Sequence, residues 1–225
     1  MLVLLPGMNG TGELFAEFLS YYDGDHLVIS LPESGPQDHA TLASVINQQL
    51  PNESYILLAE SFSGGIVPEL LKLNPIHIKG VIFVASFLSS PRSYLIGLAK
   101  LLPIKALVSL PLTNIAHSLL FLGQEASKEI LSKFVSAIES IPKQVLSSRL
   151  EVMKKQQIPQ ITFDIPAIYI RALSDRLISP KKSQEVANVF KQVEFVEIEG
   201  PHFILQAKPK ETAELIQSLL QSGKL

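Results

Sequence analysis

The chain has 225 residues, of which 47% are hydrophobic and 18% charged, and its formal net charge is −2. This length suits one domain with a substantial core, and a charge this close to zero gives no reason to expect a nucleic-acid partner. The absence of cysteine excludes disulfides, a thiol nucleophile and thiolate metal sites, and we expect neither a metal nor another cofactor.

The chain opens on a predicted strand, residues 2–5, followed by a loop that reads Pro-Gly-Met-Asn-Gly-Thr-Gly, residues 6–12, called the first loop below. This start has neither a basic leader nor a small-residue cleavage site, so we predict a cytoplasmic protein without a secretory signal. The glycines do not have the spacing of a dinucleotide fingerprint. A dinucleotide-binding site would also need an acidic residue at the end of the next predicted strand, residues 26–30, and the sequence has none there.

The serine after the third predicted strand, residues 55–59, is the most informative feature of the sequence. Residues 59–65 read Ala-Glu-Ser-Phe-Ser-Gly-Gly. A nucleophilic serine at the top of a sheet sits on a tight turn between a strand and a helix, where only small residues fit two positions before and after it. Ala59 and Ser63 meet this requirement, so the pattern predicts a nucleophile elbow at Ser61.

The residues next to Ser61 raise two alternatives. Ser63 also has small residues at the required offsets, but it would already lie in the helix predicted over residues 63–73. Glu60 is interpreted as a structural residue that points away from the nucleophile, rather than as a proton donor. The backbone N–H groups of Phe62 and of Met8 in the first loop are predicted to form an oxyanion hole.

After the fourth predicted strand, residues 80–85, the alternation of strands and helices stops. Residues 88–158 contain no convincing strand and show apolar residues at helical spacing, which predicts a helical lid inserted between core segments 1–87 and 159–225. Lysine, proline and histidine interrupt the apolar stretch 95–122, so we predict helices around an apolar cavity and no integral membrane segment; a membrane-surface role is the alternative. The predicted lid has nine Lys and Arg against four Glu, whereas the remainder of the chain has 10 Lys and Arg against 17 Asp and Glu.

Two further polar residues follow the last two predicted strands. Asp175 lies just beyond residues 167–172, and His202 lies just beyond residues 193–198. A serine hydroxyl needs a base to take its proton and a third group to orient that base. Parallel strands gather their ligands at their carboxyl ends, so we predict that Asp175 and His202 meet Ser61 there. Asp164 is the alternative acid, but it precedes its strand and would lie at the opposite end of the sheet.

The six apolar runs alternate with helical patterns, which predicts a mostly parallel sheet of about six strands with helices on both faces. Helices are predicted over residues 12–21, 41–50 and 63–73, the second of them near the candidate cap Asp38. A last helix over residues 210–220 follows a proline.

Four segments together resemble the α/β-hydrolase superfamily in its lid-bearing esterase and lipase-like branch: residues 5–10, 59–65, 174–178 and 200–203. The resemblance extends over essentially the entire chain. It implies an α/β-hydrolase fold with a minimal sheet, and a serine esterase whose catalytic residues are Ser61, Asp175 and His202. The sequence departs from the usual family pattern in having Ala59 and Ser63 where glycine is common and Pro6 where histidine is common, and no departure removes a catalytic atom.

The apolar lid predicts a substrate with an acyl chain or another apolar group, contacted by His117 and Phe121. The chain is similar to the esterases that demethylate pimeloyl esters on acyl carrier protein during biotin synthesis, which carry a four-helix lid. This resemblance implies that an acidic carrier docks on the basic residues of the lid, Lys128, Lys133, Arg149, Lys154 and Lys155. A solvated basic face is the alternative. Thioesterases, C–C hydrolases, lactonases and noncatalytic ligand-binding proteins share the fold and remain alternative functions.

Overall fold

The computed structural model describes residues 1–91 and 128–225. These residues form one sheet of six strands: β1 (Leu2–Leu5), β2 (His26–Val28), β3 (Tyr55–Glu60), β4 (Ile78–Val84), β5 (Ala167–Ala172) and β6 (Val193–Ile198). The strand order is β2-β1-β3-β4-β5-β6, and every neighbouring pair is parallel. The predicted sheet is therefore confirmed.

The described residues form eight α-helices: α1 (Ala16–Tyr21), α2 (His39–Asn47), α3 (Ile66–Lys72), α4 (Lys128–Ser140), α5 (Lys143–Lys155), α6 (Pro180–Gln184), α7 (Ile204–Ala207) and α8 (Pro209–Gln221). The Asp38 side chain caps α2 as predicted, accepting a hydrogen bond from Thr41 N at 2.9 Å. The helices predicted over residues 12–21 and 63–73 each begin with a 3₁₀ turn, Glu13–Phe15 and Ser61–Gly65. The sequence did not predict the short helices α6 and α7.

The two faces of the sheet are buried in separate apolar clusters, because side chains alternate along each strand. On one face, Val3, Leu57 and Phe83 pack with residues of α2 and α3. On the other face, Leu4 and Ile168 pack with residues of α1 and α8. Burial of both faces explains why the central strands read as continuous apolar runs in the sequence.

Strands β4 and β5 pair directly, although residues 85–166 separate them along the chain. This interval includes α4 and α5, whose apolar faces form a third cluster with Phe203 and the partly buried Met8. The predicted substrate contacts His117 and Phe121 lie outside the described residues. Over residues 1–91 and 128–225, no helix is both long enough and apolar enough to cross a membrane.

Candidate active site

Ser61 directly follows the last residue of β3 and has a backbone φ of 49°. This left-handed conformation is uncommon for a residue other than glycine, and it occurs where the surrounding structure holds a sharp turn in place. The residue is 7% exposed. The strand therefore delivers the Ser61 side chain to its carboxyl end on the strand-to-helix turn typical of a nucleophile elbow.

The small residues around Ser61 have specific packing partners. Ser63 is fully buried, and its hydroxyl donates a hydrogen bond of 2.5 Å to the carbonyl of Pro6 in the first loop. At Gly64 an added Cβ would lie 2.6 Å from Cβ of Ser86, closer than real Cβ atoms approach one another. The serine at position 63, a departure from the usual family pattern, therefore ties the turn to the first loop.

The loops that carry Asp175 and His202 run side by side after β5 and β6. Backbone hydrogen bonds of 2.9 Å join Leu173 N to the carbonyl of Ile198 and Ser174 N to the carbonyl of Gly200. These bonds extend the pairing of the two strands beyond their ends. They fix the separation of the two loops immediately before Asp175 and His202.

A continuous chain of hydrogen bonds joins the three predicted catalytic side chains. Ser61 Oγ lies 3.0 Å from His202 Nε2, and His202 Nδ1 lies 2.8 Å from Asp175 Oδ2. Asp175 Oδ1 accepts hydrogen bonds from the backbone N–H groups of Leu177 at 2.7 Å and Ile178 at 2.9 Å. The side chains of His202 and Asp175 are each only 3% exposed. The carboxylate is thus held from one side while it orients the imidazole from the other.

The predicted oxyanion-hole residues border this chain of hydrogen bonds. Phe62 follows Ser61 and is fully buried, and Met8 is partly buried in the first loop. The first loop passes close to the serine, because a Cβ added at Gly7 would lie 3.6 Å from Cβ of Ser61. Donation from the Met8 and Phe62 N–H groups to an oxyanion stays a prediction.

Glu60 and Gln206 form a second buried hydrogen-bond cluster beside His202. Glu60 is 1% exposed and accepts hydrogen bonds from Gly7 N at 3.2 Å and from Gln206 Nε2 at 2.9 Å. Among the described residues, no lysine or arginine forms an ion pair with Glu60. The sequence predicts neither Gly7 nor Gln206 as its partner, because these residues are 53 and 146 positions away along the chain.

The expectation that Arg149 belongs to a basic lid surface is wrong. The residue is 1% exposed and its guanidinium hydrogen-bonds to the first loop and to the loop after β2. The sequence contains a signal for this, because Arg149 lies three and four positions after Leu146 and Val145 on the apolar stripe of α5. Lys133, Lys154 and Lys155 are exposed, and the side chain of Lys128 lies outside the described residues.

A family model described as serine aminopeptidase, S33, matches residues 23–201, about four-fifths of the chain. The chain belongs to this family. The matched segment contains Ser61 and Asp175 and ends one residue before His202. A search of curated protein sequences gives no match.

Solved structures place this S33 family member in the α/β-hydrolase fold. A thermophilic esterase aligns with a TM-score of 0.78 at 16% identity, covering 98% of this chain and 89% of the esterase. An esterase from Exiguobacterium antarcticum aligns with a TM-score of 0.78 at 15% identity, covering 98% and 91% of the two chains. A bromoperoxidase from Bacillus anthracis aligns with the same TM-score, identity and coverage as that second esterase. At these identities the likeness shows the fold.

Over residues 1–91 and 128–225, no group of three or more His, Asp or Glu side chains could hold a metal ion. The polar groups that converge next to Ser61 are instead joined to one another by hydrogen bonds.

Two carboxylates act on the imidazole of His202. Burial alone would lower the pKa of His202, but the charge of Asp175, the hydrogen bond to it and the charge of Glu60 outweigh burial and raise the pKa above 6.5. Burial in turn raises the pKa of Glu60, although the hydrogen bonds from Gln206 and Gly7 and the charge of His202 oppose this shift. The site therefore favours the charged imidazole more than water does.

We expect activity in this S33 family member to fall on acidification with a midpoint above pH 6.5, because a base must be neutral to accept a proton and the pKa of His202 is raised. Glu60→Gln removes one of the two negative charges, so the midpoint of kcat/KM against pH should move to lower pH. Glu199→Gln is the control: it removes an exposed carboxylate on the same loop as His202 and should move the midpoint little. Equal midpoints in the wild type and Glu60→Gln would contradict the expectation.

Proposed function

We propose that the protein is a serine hydrolase of carboxylic esters that works through an acyl-enzyme intermediate. The observation that carries the proposal is the continuous chain of hydrogen bonds from Ser61 Oγ through His202 to Asp175, with separations of 3.0 and 2.8 Å. A nucleophile, a base within hydrogen-bond reach of it and a third group that orients the base are the parts required for acyl transfer. Membership of a serine hydrolase family and the esterase neighbours in fold support the same reaction class.

The reaction follows from the arrangement of these side chains. His202 Nε2 accepts the Ser61 proton while Oγ attacks the ester carbonyl, and the N–H groups of Met8 and Phe62 hold the oxyanion. Asp175 keeps the proton on Nδ1 and stabilises the imidazolium that forms. His202 then protonates the departing alcohol. Water attacks the acyl-enzyme by the same steps and releases the acid.

The packing of helices α4 and α5 favours a substrate with an apolar acyl group and a lid over residues 88–158. Their apolar residues cluster with Phe203, which follows His202, and with Met8 of the first loop. The rings of Phe134 and Phe203 lie 5.1 Å apart between centroids. The described part of the proposed lid thus brings apolar surface to the first loop and to the residue after His202, and each buried methylene of a substrate would supply about 0.8 kcal/mol of binding there.

A carrier-bound substrate, such as a pimeloyl ester on acyl carrier protein, is the narrower proposal. Its support is the exposure of Lys133, Lys154 and Lys155 on α4 and α5, although Lys133 and Lys155 pair with glutamates of their own helices at 2.8 and 3.0 Å. Arg149 no longer counts among the docking residues because it is buried. A cytoplasmic location accompanies this proposal and stays a prediction.

One substrate panel tests the reaction class. The purified protein should hydrolyse aryl esters of saturated acids, with kcat/KM rising with acyl length as more methylenes are buried against the apolar residues of α4 and α5. It should be less active on matched thioesters, aminoacyl anilides and vinylogous diketones, which represent thioesterases, aminopeptidases and C–C hydrolases. A clear preference for any of these three over the ester would reassign the function, and inactivity on all of them would favour a noncatalytic ligand-binding protein.

The same panel contains an arm for the carrier. Charge reversal to Glu at Lys133, Lys154 and Lys155 together should impair cleavage of a methyl ester on acyl carrier protein and leave aryl-ester turnover unchanged. Lys210→Glu, at an exposed lysine on α8 outside the proposed lid, is the control. Equal carrier-ester turnover in the two proteins would end the carrier proposal without affecting the esterase proposal.

A further inference from the structure

Arg149 is the largest side chain among those that are almost fully buried in the described residues. It extends from α5, and each of its three nitrogens donates one hydrogen bond. Nη1 donates to the carbonyl of Met8 at 2.8 Å, Nη2 to the carbonyl of Pro32 at 2.9 Å and Nε to Gln37 Oε1 at 2.9 Å. One guanidinium therefore joins the proposed lid to the loops after β1 and β2.

All three acceptors are uncharged. Among residues 1–91 and 128–225, no carboxylate lies within ion-pair distance of the Arg149 guanidinium. Burial lowers the pKa of Arg149 to about 10, with the charge of Glu33 opposing the shift, so the group stays charged at neutral pH. Desolvation offsets much of the stabilisation that the hydrogen bonds of such a cation supply, although removing it would cost stability by leaving buried acceptors short of a donor. Its contacts therefore suggest a role other than general stabilisation.

The loops around the Arg149 guanidinium leave space for it and are hydrogen-bonded to each other. Gly10 has a φ of 79°, and a Cβ there would lie 2.9 Å from Arg149 Cζ, so another residue would collide with the guanidinium. The carbonyl of Gly10 accepts a hydrogen bond of 2.7 Å from Leu31 N, which joins the two loops. Gln37 Nε2 also donates to three carbonyls of its own loop, those of Pro32, Ser34 and Gly35.

The first loop is held from two directions. From β3 and the turn after it, Ser63 donates to the carbonyl of Pro6, and Glu60 accepts from Gly7 N. From α5, Arg149 donates to the carbonyl of Met8. Residue 8 is thus anchored through its carbonyl by a helix of the proposed lid, whereas the two preceding residues are anchored by the end of β3 and the turn that follows it.

We propose that Arg149 is a positioning residue, which fixes the backbone of Met8 so that the Met8 N–H points at the oxyanion. This inference rests on the proposed esterase function, in which Met8 N–H is one of two donors. Rotation of the Met8 carbonyl away from its acceptor geometry would turn the neighbouring peptide and misdirect the N–H. Docking of α5 and assembly of the oxyanion hole are then coupled through one side chain.

The coupling should affect the transition state more than the bound substrate, because the oxyanion forms only as the carbonyl is attacked. Arg149→Met should lower kcat by about 10- to 100-fold with KM changed less than about threefold. Arg149→Lys, which keeps the charge but reaches fewer acceptors, should fall between this variant and the wild type. A trifluoromethyl ketone, which forms a tetrahedral oxyanion on serine, should lose affinity in parallel with kcat, whereas the corresponding methyl ketone should not.

Gln37→Met is the matched control, because it disturbs the same guanidinium site and leaves the hydrogen bond to Met8 in place. It should reduce the melting temperature as Arg149→Met does, but lower kcat much less. Equal losses of kcat in these two variants, or equal weakening of both ketones in Arg149→Met, would show a purely structural role and overturn the inference.

Two further measurements separate this inference from the proposed function. Fluorophosphonate labelling of wild-type Ser61 reports the function itself, and absence of labelling would overturn the function. Hydrogen–deuterium exchange of the peptide covering residues 6–12 reports loop order without any substrate, and it should accelerate in Arg149→Met. Unchanged exchange, with both proteins folded and the wild type labelled, would overturn the role of Arg149 alone.

Discussion

Ser61→Ala should lower kcat for ester hydrolysis by at least about 10,000-fold, because the variant has no oxygen to form the acyl-enzyme. Residual turnover would come from the oxyanion hole and substrate binding alone. The fold should persist, since the change removes one hydroxyl from a residue whose backbone is held by β3 and the following turn. Steady-state hydrolysis of an aryl ester and a thermal melt measure the two effects.

Ser63→Ala is the matched control for this experiment. Ser63 is the alternative nucleophile in the sequence, and its hydroxyl donates instead to the carbonyl of Pro6. Ser63→Ala should still react with a fluorophosphonate, and mass spectrometry should locate the adduct on Ser61. An adduct on residue 63, or aryl-ester turnover retained by Ser61→Ala, would refute the assignment of the nucleophile.

Asp175→Asn should lower kcat by about 10,000-fold through the tautomer of His202. The carboxylate oxygen Oδ2 lies 2.8 Å from His202 Nδ1, which favours the proton on Nδ1 and leaves Nε2 free to accept from Ser61. An asparagine amide donates to Nδ1 instead, so the proton moves to Nε2 and the base is lost. The single oxygen of the asparagine amide can still accept from Leu177 N and Ile178 N, as Asp175 Oδ1 does, so the loop should keep its shape.

Asp164→Asn tests whether the loss of kcat is specific to Asp175 or also follows the removal of another carboxylate. Asp164 was the alternative acid in the sequence, and it pairs with Lys191 at 3.4 Å near the surface, where its side chain is 73% exposed. We expect its kcat and KM to equal those of the wild type. Kinetics of both variants on one ester, with a thermal melt of each, make the comparison; a similar loss in both would argue against the role of Asp175.

The sheet and the elbow were predictable because their signals are local. Six apolar runs separated by helical patterns specify a covered parallel sheet whatever the distant contacts are. The small residues around Ser61 reflect crowding within one turn, and the capping role of Asp38 depends on a partner three positions away. Chain order then suffices to send residues that follow β3, β5 and β6 to one edge of the sheet.

The sequence alone thus determined the fold class and the three polar residues that follow parallel strands. The tertiary structure alone decided which charges are buried and what they touch: Arg149 entered the interior instead of a basic surface, and Glu60 found Gln206 and the first loop. The physical reason is that a strand or turn is encoded by neighbours along the chain. Desolvation and hydrogen bonding of a charged group depend on residues more than 50 positions away, which meet only after folding.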